Sequence, residues 1–355
     1  MWIMSVNFIY DQVECVLKIL GKMHNNETIT QSDWEDLFLS KGYQWLAKRD
    51  DDMYEKLKIK ETNESDFKSF LLGEGQVSKY ENFLRSMGIS KSSDMESFIL
   101  ERPLKDYENF LRAYKLLKSI DIERIILDTK NYLPKEAKIE TYIIPVIKPL
   151  NNSFVHTIEN TLVLFLNLTP DISKEKLENT LIHELHHIGF SDVHKPEKYK
   201  YLSKQAQMLI EWTTAFAEGF AMLAAARGPD NHPNKYYKDL KEIWDVNIKR
   251  FNEDFSKIEN FLLKILNEEF PDNEELYKEG FELMTNNGGQ GSWYTVGWKV
   301  SVVIEKVEGK ERLLECMSDL TKLYSTYNEA VITYSKKYNE ELKSWSKKII
   351  DALKM

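Results

Sequence analysis

Residues 161–190 read TLVLFLNLTPDISKEKLENTLIHELHHIGF. The first eight are rich in large apolar and β-branched side chains, which suits a short strand. Thr169, Pro170 and Asp171 end it. Ser173 then offers a side-chain oxygen to the free N–H groups of a first helical turn, and Glu175 stands where the helix dipole favours an acid. The segment therefore reads as a strand followed by a capped helix that stops around Gly189. Three of the chain's seven histidines fall within five residues of that helix, with a glutamate among them.

An α-helix turns ~100° per residue, so His183 and His187 lie ~40° apart and one turn along, sharing a face. His186 sits ~60° from His183 on one flank, and Glu184 ~60° from His187 on the other. Leu177, Leu181, Leu185 and Ile188 occupy the opposite side. The helix thus packs one side into a core and presents two imidazoles with a carboxylate beside them. The pattern is His-Glu-x-x-His, in which the histidines grip one ion and the glutamate acts as general base rather than ligand. Catalytic zinc takes three protein ligands and keeps a fourth position for water, whose pKa it lowers towards ~7. Zinc is the expected cofactor, and a third ligand must come from elsewhere.

The rest of the chain reads as mainly α with a small β-sheet, an α+β protein. Residues 1–130 look like several helices. Thr30-Gln31-Ser32-Asp33 marks one helix start, followed by Trp34, Leu37 and Phe38 at helical spacing. Gly73 and Gly75 separate two later helices. YENFLR occurs at 80–85 and again at 107–112. Its flanks do not match, which favours two amphipathic helices over a duplicated unit. KIETYIIPVI (138–147) reads as another strand, and NNSFVHTIEN (151–160) as a loop or weak third strand. Downstream, a helix runs from about Ser203 to Arg227 and closes on Gly228-Pro229. The next begins near Tyr237, with Trp244, Ile248, Phe251, Phe255, Ile258, Leu262 and Ile265 on one seam, as core packing requires. A glycine-rich stretch, NNGGQGS (286–292), leads into a helix beginning WYTVGWKVSVVIEKV, and further helices fill 310–355.

His183-Glu184-Leu185-His186-His187, with Ala217-Glu218-Gly219-Phe220-Ala221 downstream, resembles the gluzincin type of zinc metallopeptidase. The resemblance covers about 160–310, and the layout is similar to that of uncharacterised bacterial zinc-dependent peptidases. With the change of character near residue 137, it implies a zincin-like domain over 136–355, helix-rich from 237, while the N-terminal helical region at 1–135 lies outside the resemblance. In that clan the third ligand is a Glu from a second helix, often in an E-G-F-A-like stretch, which carries over to Glu218. The spacing departs from the pattern: 30 residues separate His187 from Glu218, and an insertion at 190–204 accounts for the excess. Glu211 lies seven positions before Glu218 and ~20° off the same helical face, so it stands as a rival ligand or as a support for a ligating histidine. The metzincin register fails, since Gly189, Asp192 and His194 all miss the required positions. His194 is expected to be a polar loop residue.

The resemblance also implies an oxyanion donor on a later helix. Tyr294 fits, one turn before Gly297, whose lack of a side chain allows close helix approach. Plain aromatic packing of Trp293 and Tyr294 is the competing reading, and His232 and Tyr236 are alternatives. The loop 286–292 reads as a lid, a specificity wall or an ordinary connection. The strand before such a helix often forms a sheet edge, and if TLVLFLNL is that edge its backbone can pair with a peptide. No G-x-M-x-N stretch is present, which favours an endopeptidase over an aminopeptidase. The expected activity is zinc-dependent cleavage of a peptide or protein substrate. The alternatives are an amide or ester hydrolase on another substrate and a silent metal-binding protein.

Composition excludes other classes. The formal charge is −9 with no Lys/Arg block, which gives no support for a nucleic-acid or anionic-membrane partner. The KK pairs at 336–337 and 347–348 fit a solvated helix face. No apolar run approaches the ~18 residues of a membrane span. The stretch MWIMSVNFIYDQVE lacks the features of a signal peptide. Two cysteines, Cys15 and Cys316, do not make a disulfide framework. A cytoplasmic protein is expected, its oligomeric state left open.

Overall fold

A computed structural model describes residues 6–57, 64–73, 103–286 and 290–354. The first YENFLR copy, Gly75 and residues 287–289 lie outside them. The chain is mainly α with one small mixed sheet, as its composition leads one to expect. It divides into two compact units. One comprises Met1–Ile122 and Ile139–Glu184, the other Glu123–Lys138 and Leu185–Met355.

The first unit holds the sheet. Its strands are β1 (Val6–Phe8), β2 (Thr141–Val146), β3 (Phe154–Ile158) and β4 (Thr161–Asn167), in the order β1-β2-β4-β3. β1 and β4 run parallel to β2, and β3 runs antiparallel to β4. The helices described with it are α1 (Asp11–His24), α2 (Gln31–Leu39), α3 (Lys41–Leu57), α4 (Glu64–Leu72) and α5 (Tyr107–Lys118), the last being the second YENFLR copy. Thr30 and Asp33 form the expected start of α2: each side chain accepts the other's backbone N–H. Lys22, then Thr30, holds the Asp33 carboxyl well below the usual carboxylate range.

One sequence alternative is decided here and two expectations change. Within NNSFVHTIEN the third strand is formed, over Phe154–Ile158, and it is joined to β4 by Glu159-Asn160, both with left-handed φ (48° and 67°). That two-residue turn matches the twist of a hairpin, and Asn tolerates the conformation better than most residues. β1 emerges from a segment read as helical. TLVLFLNL is not an edge: β4 lies between β2 and β3, and Val163, Leu164, Phe165 and Leu166 are all fully buried. An unbroken apolar run is the mark of a strand covered on both faces, whereas one half-exposed strand alternates.

In the second unit, α6 (Ile122–Lys130) precedes the segment 131–138. α7 (Lys174–Val193) crosses from the first unit into the second without a break. Then come α8 (Lys204–Thr213), α9 (Ala217–Ala225), α10 (Lys238–Asn247), α11 (Phe251–Leu266), α12 (Asn273–Thr285), α13 (Ser292–Glu308), α14 (Lys310–Ser318), α15 (Leu323–Tyr338) and α16 (Lys347–Ala352). α13 is central. Trp293, Val296, Val300, Val303 and Ile304 are fully buried, and α9, α11, α12, α14 and α15 pack on it.

The helix expected from Ser203 to Arg227 is two helices separated by a tighter turn at Thr214–Phe216. Thr213 and Thr214 each donate a hydroxyl to a carbonyl of the preceding turn, Leu209 O and Glu211 O, and such back-bonding bends helices. Arg227 and Gly228 end it at positive φ. The seam from Trp244 is likewise broken once, at Ile248–Arg250, yet Trp244, Phe251, Phe255, Ile258, Leu262 and Ile265 are buried core residues. No helix among the described residues is long and apolar enough to cross a membrane.

α7 does not stop at Gly189 but runs on to Val193. Gly189 is there for packing: a Cβ would lie 2.3 Å from Leu133 Cδ1. Gly189→Ala is expected to lose roughly 1–2 kcal/mol of stability, because overpacking of ~1–3 kcal/mol outweighs a helix-propensity gain of up to ~1. Urea denaturation checks this; an unchanged or raised midpoint would mean that Leu133 moves aside freely.

Candidate metal centre

The helix α7 is amphipathic in the way its spacing demands. Leu177, Leu181, Ile182 and Leu185 are fully buried, while His183 and His187, a turn apart, are half-buried on the other side. Glu184 is buried beside them, 8 % exposed.

His186 has a different task. It is fully buried, and its Nε2 lies 2.9 Å from the carbonyl oxygen of Tyr132. A carbonyl only accepts, so this nitrogen carries the proton and donates. The Tyr132 hydroxyl in turn donates to Glu305 of α13 at 3.0 Å, and burial raises the Glu305 carboxyl above its ordinary pKa. The histidine between the two candidate ligands thus anchors the 131–138 segment to its helix.

Glu218 is the second residue of α9. Its Oε2 lies 3.3 Å from His187 Nε2. His183, His187 and Glu218 each offer one donor atom, all within 4.8 Å of one another. The donor set suits zinc. Imidazole and carboxylate ligands at ~2.0–2.1 Å with tetrahedral angles stand ~3.3–3.5 Å apart, the separation of the His187–Glu218 pair.

What holds Glu218 there is its neighbour. A Cβ on Gly219 would fall 2.1 Å from the backbone nitrogen of Trp298 and 2.2 Å from the carbonyl carbon of Gly297. A Cβ on Gly297 would meet Phe216 O at 3.1 Å. α9 and α13 therefore cross backbone to backbone at a pair of glycines, and only glycine fits at Gly219. Gly219 was not among the candidate site residues, although the E-G-F-A stretch contains it.

Tyr294 lies one turn before Gly297 on α13 and is half-buried. Trp293 is wholly packing: it is fully buried and its indole N–H donates to Gly280 O at 3.1 Å. The ends of the glycine-rich loop are pinned. Gly291 N donates to Met284 O at 3.0 Å, and Ser292 N to Asn286 Oδ1 at 2.8 Å.

The other candidates stand elsewhere. Glu211 is exposed, accepts a hydrogen bond from Tyr277 Oη at 3.1 Å, and is not a member of the donor group. His232 accepts from Asn234 N at Nδ1 (3.0 Å), and its Nε2 pairs with Asp245 Oδ1 at 2.9 Å. Tyr236 is half-buried, under Lys235. His194 is in the loop after α7, as expected, but is half-buried in an aromatic setting. It follows directly on α7, stacks on Phe190 with planes 2° apart, and burial drives its pKa down to about 4, with Lys198 adding to the effect.

Two imidazoles one helical turn apart, met by a carboxylate from a second helix, define a helical protein with a zinc-type donor set. The sequence identifies the group more closely. The model of the family described as "Putative zinc dependent peptidase (DUF5700)" matches residues 34–336, and the chain belongs to that family. Zinc is its cofactor, and the His/His/Glu cluster can bind it. No curated protein and no solved structure matches the chain.

Proposed function

We propose that the protein is a gluzincin-like endopeptidase: His183, His187 and Glu218 hold zinc, Glu184 is the general base and Tyr294 the oxyanion donor. The observation that carries this reading is the convergence of three donor atoms within 4.8 Å, with Glu184 on the same helix one residue after His183.

Each role follows from chemistry. Zinc, when bound, supplies a Lewis acid that brings water towards deprotonation near neutral pH. The carboxylate of Glu184, set one flank away from the ligands, takes the proton of the attacking water and passes it to the leaving amine. Its burial strengthens electrostatic interactions around it relative to bulk water. The phenol of Tyr294 donates to the oxygen on which negative charge develops. The glycine crossing that fixes α9 against α13 supports this role, because it keeps the helices of Glu218 and Tyr294 in register. Cys15 and Cys316 are in no disulfide, which supports placement in the cytoplasm.

Metal analysis with a peptide-cleavage assay tests the proposal. The expected result is one zinc per chain and hydrolysis of unstructured peptides that chelation abolishes and added zinc restores. Full activity after removal of all metal would overturn it. So would a zinc-loaded protein that cleaves simple amides or esters but no peptide.

A further inference from the structure

The second unit carries an aromatic cluster that the catalytic proposal does not use. Tyr277 and Phe281, one turn apart on α12, are 43 % and 46 % exposed. Between them lies the indole of Trp212, 7 % exposed, with ring centroids 5.6 Å from Tyr277 and 6.2 Å from Phe281. α12 is seated hard on this indole, since a Cβ on Gly280 would come within 2.0 Å of it. The result is an apolar floor flanked by two rings that keep much of their surface in water. Buried packing needs no such exposure, and aromatic rings left half-open favour apolar contacts.

Its position relative to Glu218 follows from the helices. From Glu211 to Glu218 the chain makes four α-helical steps and the three tighter steps of the 214–216 turn. On a straight axis the advance would be ~12 Å with ~40° of net rotation, and the bend at 214–216 makes ~12 Å an upper bound. Of residues 211–219 only Glu211, Thr214, Ala215 and Glu218 are left partly open, so Glu211 and Glu218 lie on one accessible stripe, and Tyr277 reaches Glu211 at 3.1 Å. A second route agrees. Trp293, the residue before Tyr294, bonds to Gly280 O of α12 at 3.1 Å, between Tyr277 and Phe281, so the start of α13 lies beside the aromatic pair. An extended peptide advances ~3.3 Å per residue, so ~12 Å corresponds to three or four residues.

We infer that Tyr277, Phe281 and Trp212 form a subsite for a large apolar side chain of the peptide substrate, three or four residues from the bond that is cut. This rests on the peptidase reading above. The occupant is part of the substrate because the cluster shares the face of Glu218 and lies a few residues' reach from it. A protein built this way selects extended segments with a bulky apolar residue at that remove, which marks unfolded or flexible chains over folded ones.

The test uses the full-length zinc-loaded protein and the double variant Tyr277→Ser/Phe281→Ser. Three peptide sets share one cleavable centre: a short one, a long one with Phe three or four residues to either side, and a long one with Ser there. For the unaltered chain, kcat/KM for the Phe peptides is expected to exceed that for the Ser peptides about tenfold or more, the scale for filling an apolar pocket. In the double variant the ratio of Phe to Ser peptides is expected to fall to about one, through KM. Ratios within one preparation cancel any loss of folded protein. A preference that survives the double substitution, or is absent from the unaltered chain, overturns the subsite while cleavage of the short peptide leaves the catalytic proposal standing. Failure to cleave any of the sets removes both. A change in sedimentation of the double variant without a change in preference reassigns the patch to contact with a second copy.

Discussion

Glu184→Gln is expected to bind zinc as the unaltered chain does and to lose peptide hydrolysis by a factor of ~10²–10⁴, the usual contribution of a positioned general base. The glutamine keeps the size and hydrogen-bonding ability of the side chain but cannot accept a proton. It sits ~60° around the helix from His187, so neither candidate histidine needs to move. The side chain is buried, 8 % exposed, and a neutral amide is easier to bury than a carboxylate, so stability is not expected to fall. Zinc content by metal analysis and kcat on an unstructured peptide are the two measurements. Loss of zinc would make Glu184 a ligand or a ligand support. Retained turnover would remove it from the chemistry, and another base would be needed.

The place of this glutamate beside the two histidines is legible in the sequence, while other parts of the molecule are not, for a physical reason. A helix imposes its period on every residue it contains, so the relation of His183, Glu184 and His187 is fixed once the helix is recognised. The buried face of Leu177, Leu181 and Leu185 follows from the same period. The group that meets them comes from another helix, and no local rule gives the distance across. Glu218 came from the E-G-F-A resemblance, while the packing reason for its position lies at Gly219, where Trp298 leaves no room for a Cβ. His186 shows the limit from the other side. Its imidazole has the same chemistry as its neighbours, and only the carbonyl of Tyr132, 54 residues earlier, gives it a structural task. The small sheet is legible in the sequence, but its full strand count and order are not. β1 has three residues, too few for any periodic signal. β3 depends on a Glu-Asn turn with no glycine to announce it. β4 stands where an edge strand is common, yet its unbroken apolar run already calls for cover on both faces. Helix breaks at 214–216 and 248–250 were equally hidden, since an apolar stripe continues through a short tight turn.

Glu218→Ala is expected to weaken zinc binding by ~10²-fold or more, beyond the 10–100-fold that loss of a supporting group costs, whereas Glu211→Ala leaves it unchanged. The contrast is large because the two acids differ in what surrounds them. Glu218 Oε2 stands 3.3 Å from His187 Nε2, while Glu211 is exposed and engaged by Tyr277. Glu218→Asp makes the sharper test. Shortening the side chain by one methylene withdraws the carboxylate by ~1.5 Å, close to the C–C bond length along a chain. A mobile helix could slide to compensate. α9 is held against such a slide, because Gly219 is packed directly on the backbone of Trp298 and Gly297 and a shift of α9 would have to disturb that crossing. The aspartate variant is therefore expected to lose zinc almost as fully as the alanine variant. Competition with a chelator of known affinity reads all three. An aspartate variant that holds zinc like the unaltered chain would show that α9 is free to shift, and an alanine variant that does so would place the third ligand elsewhere.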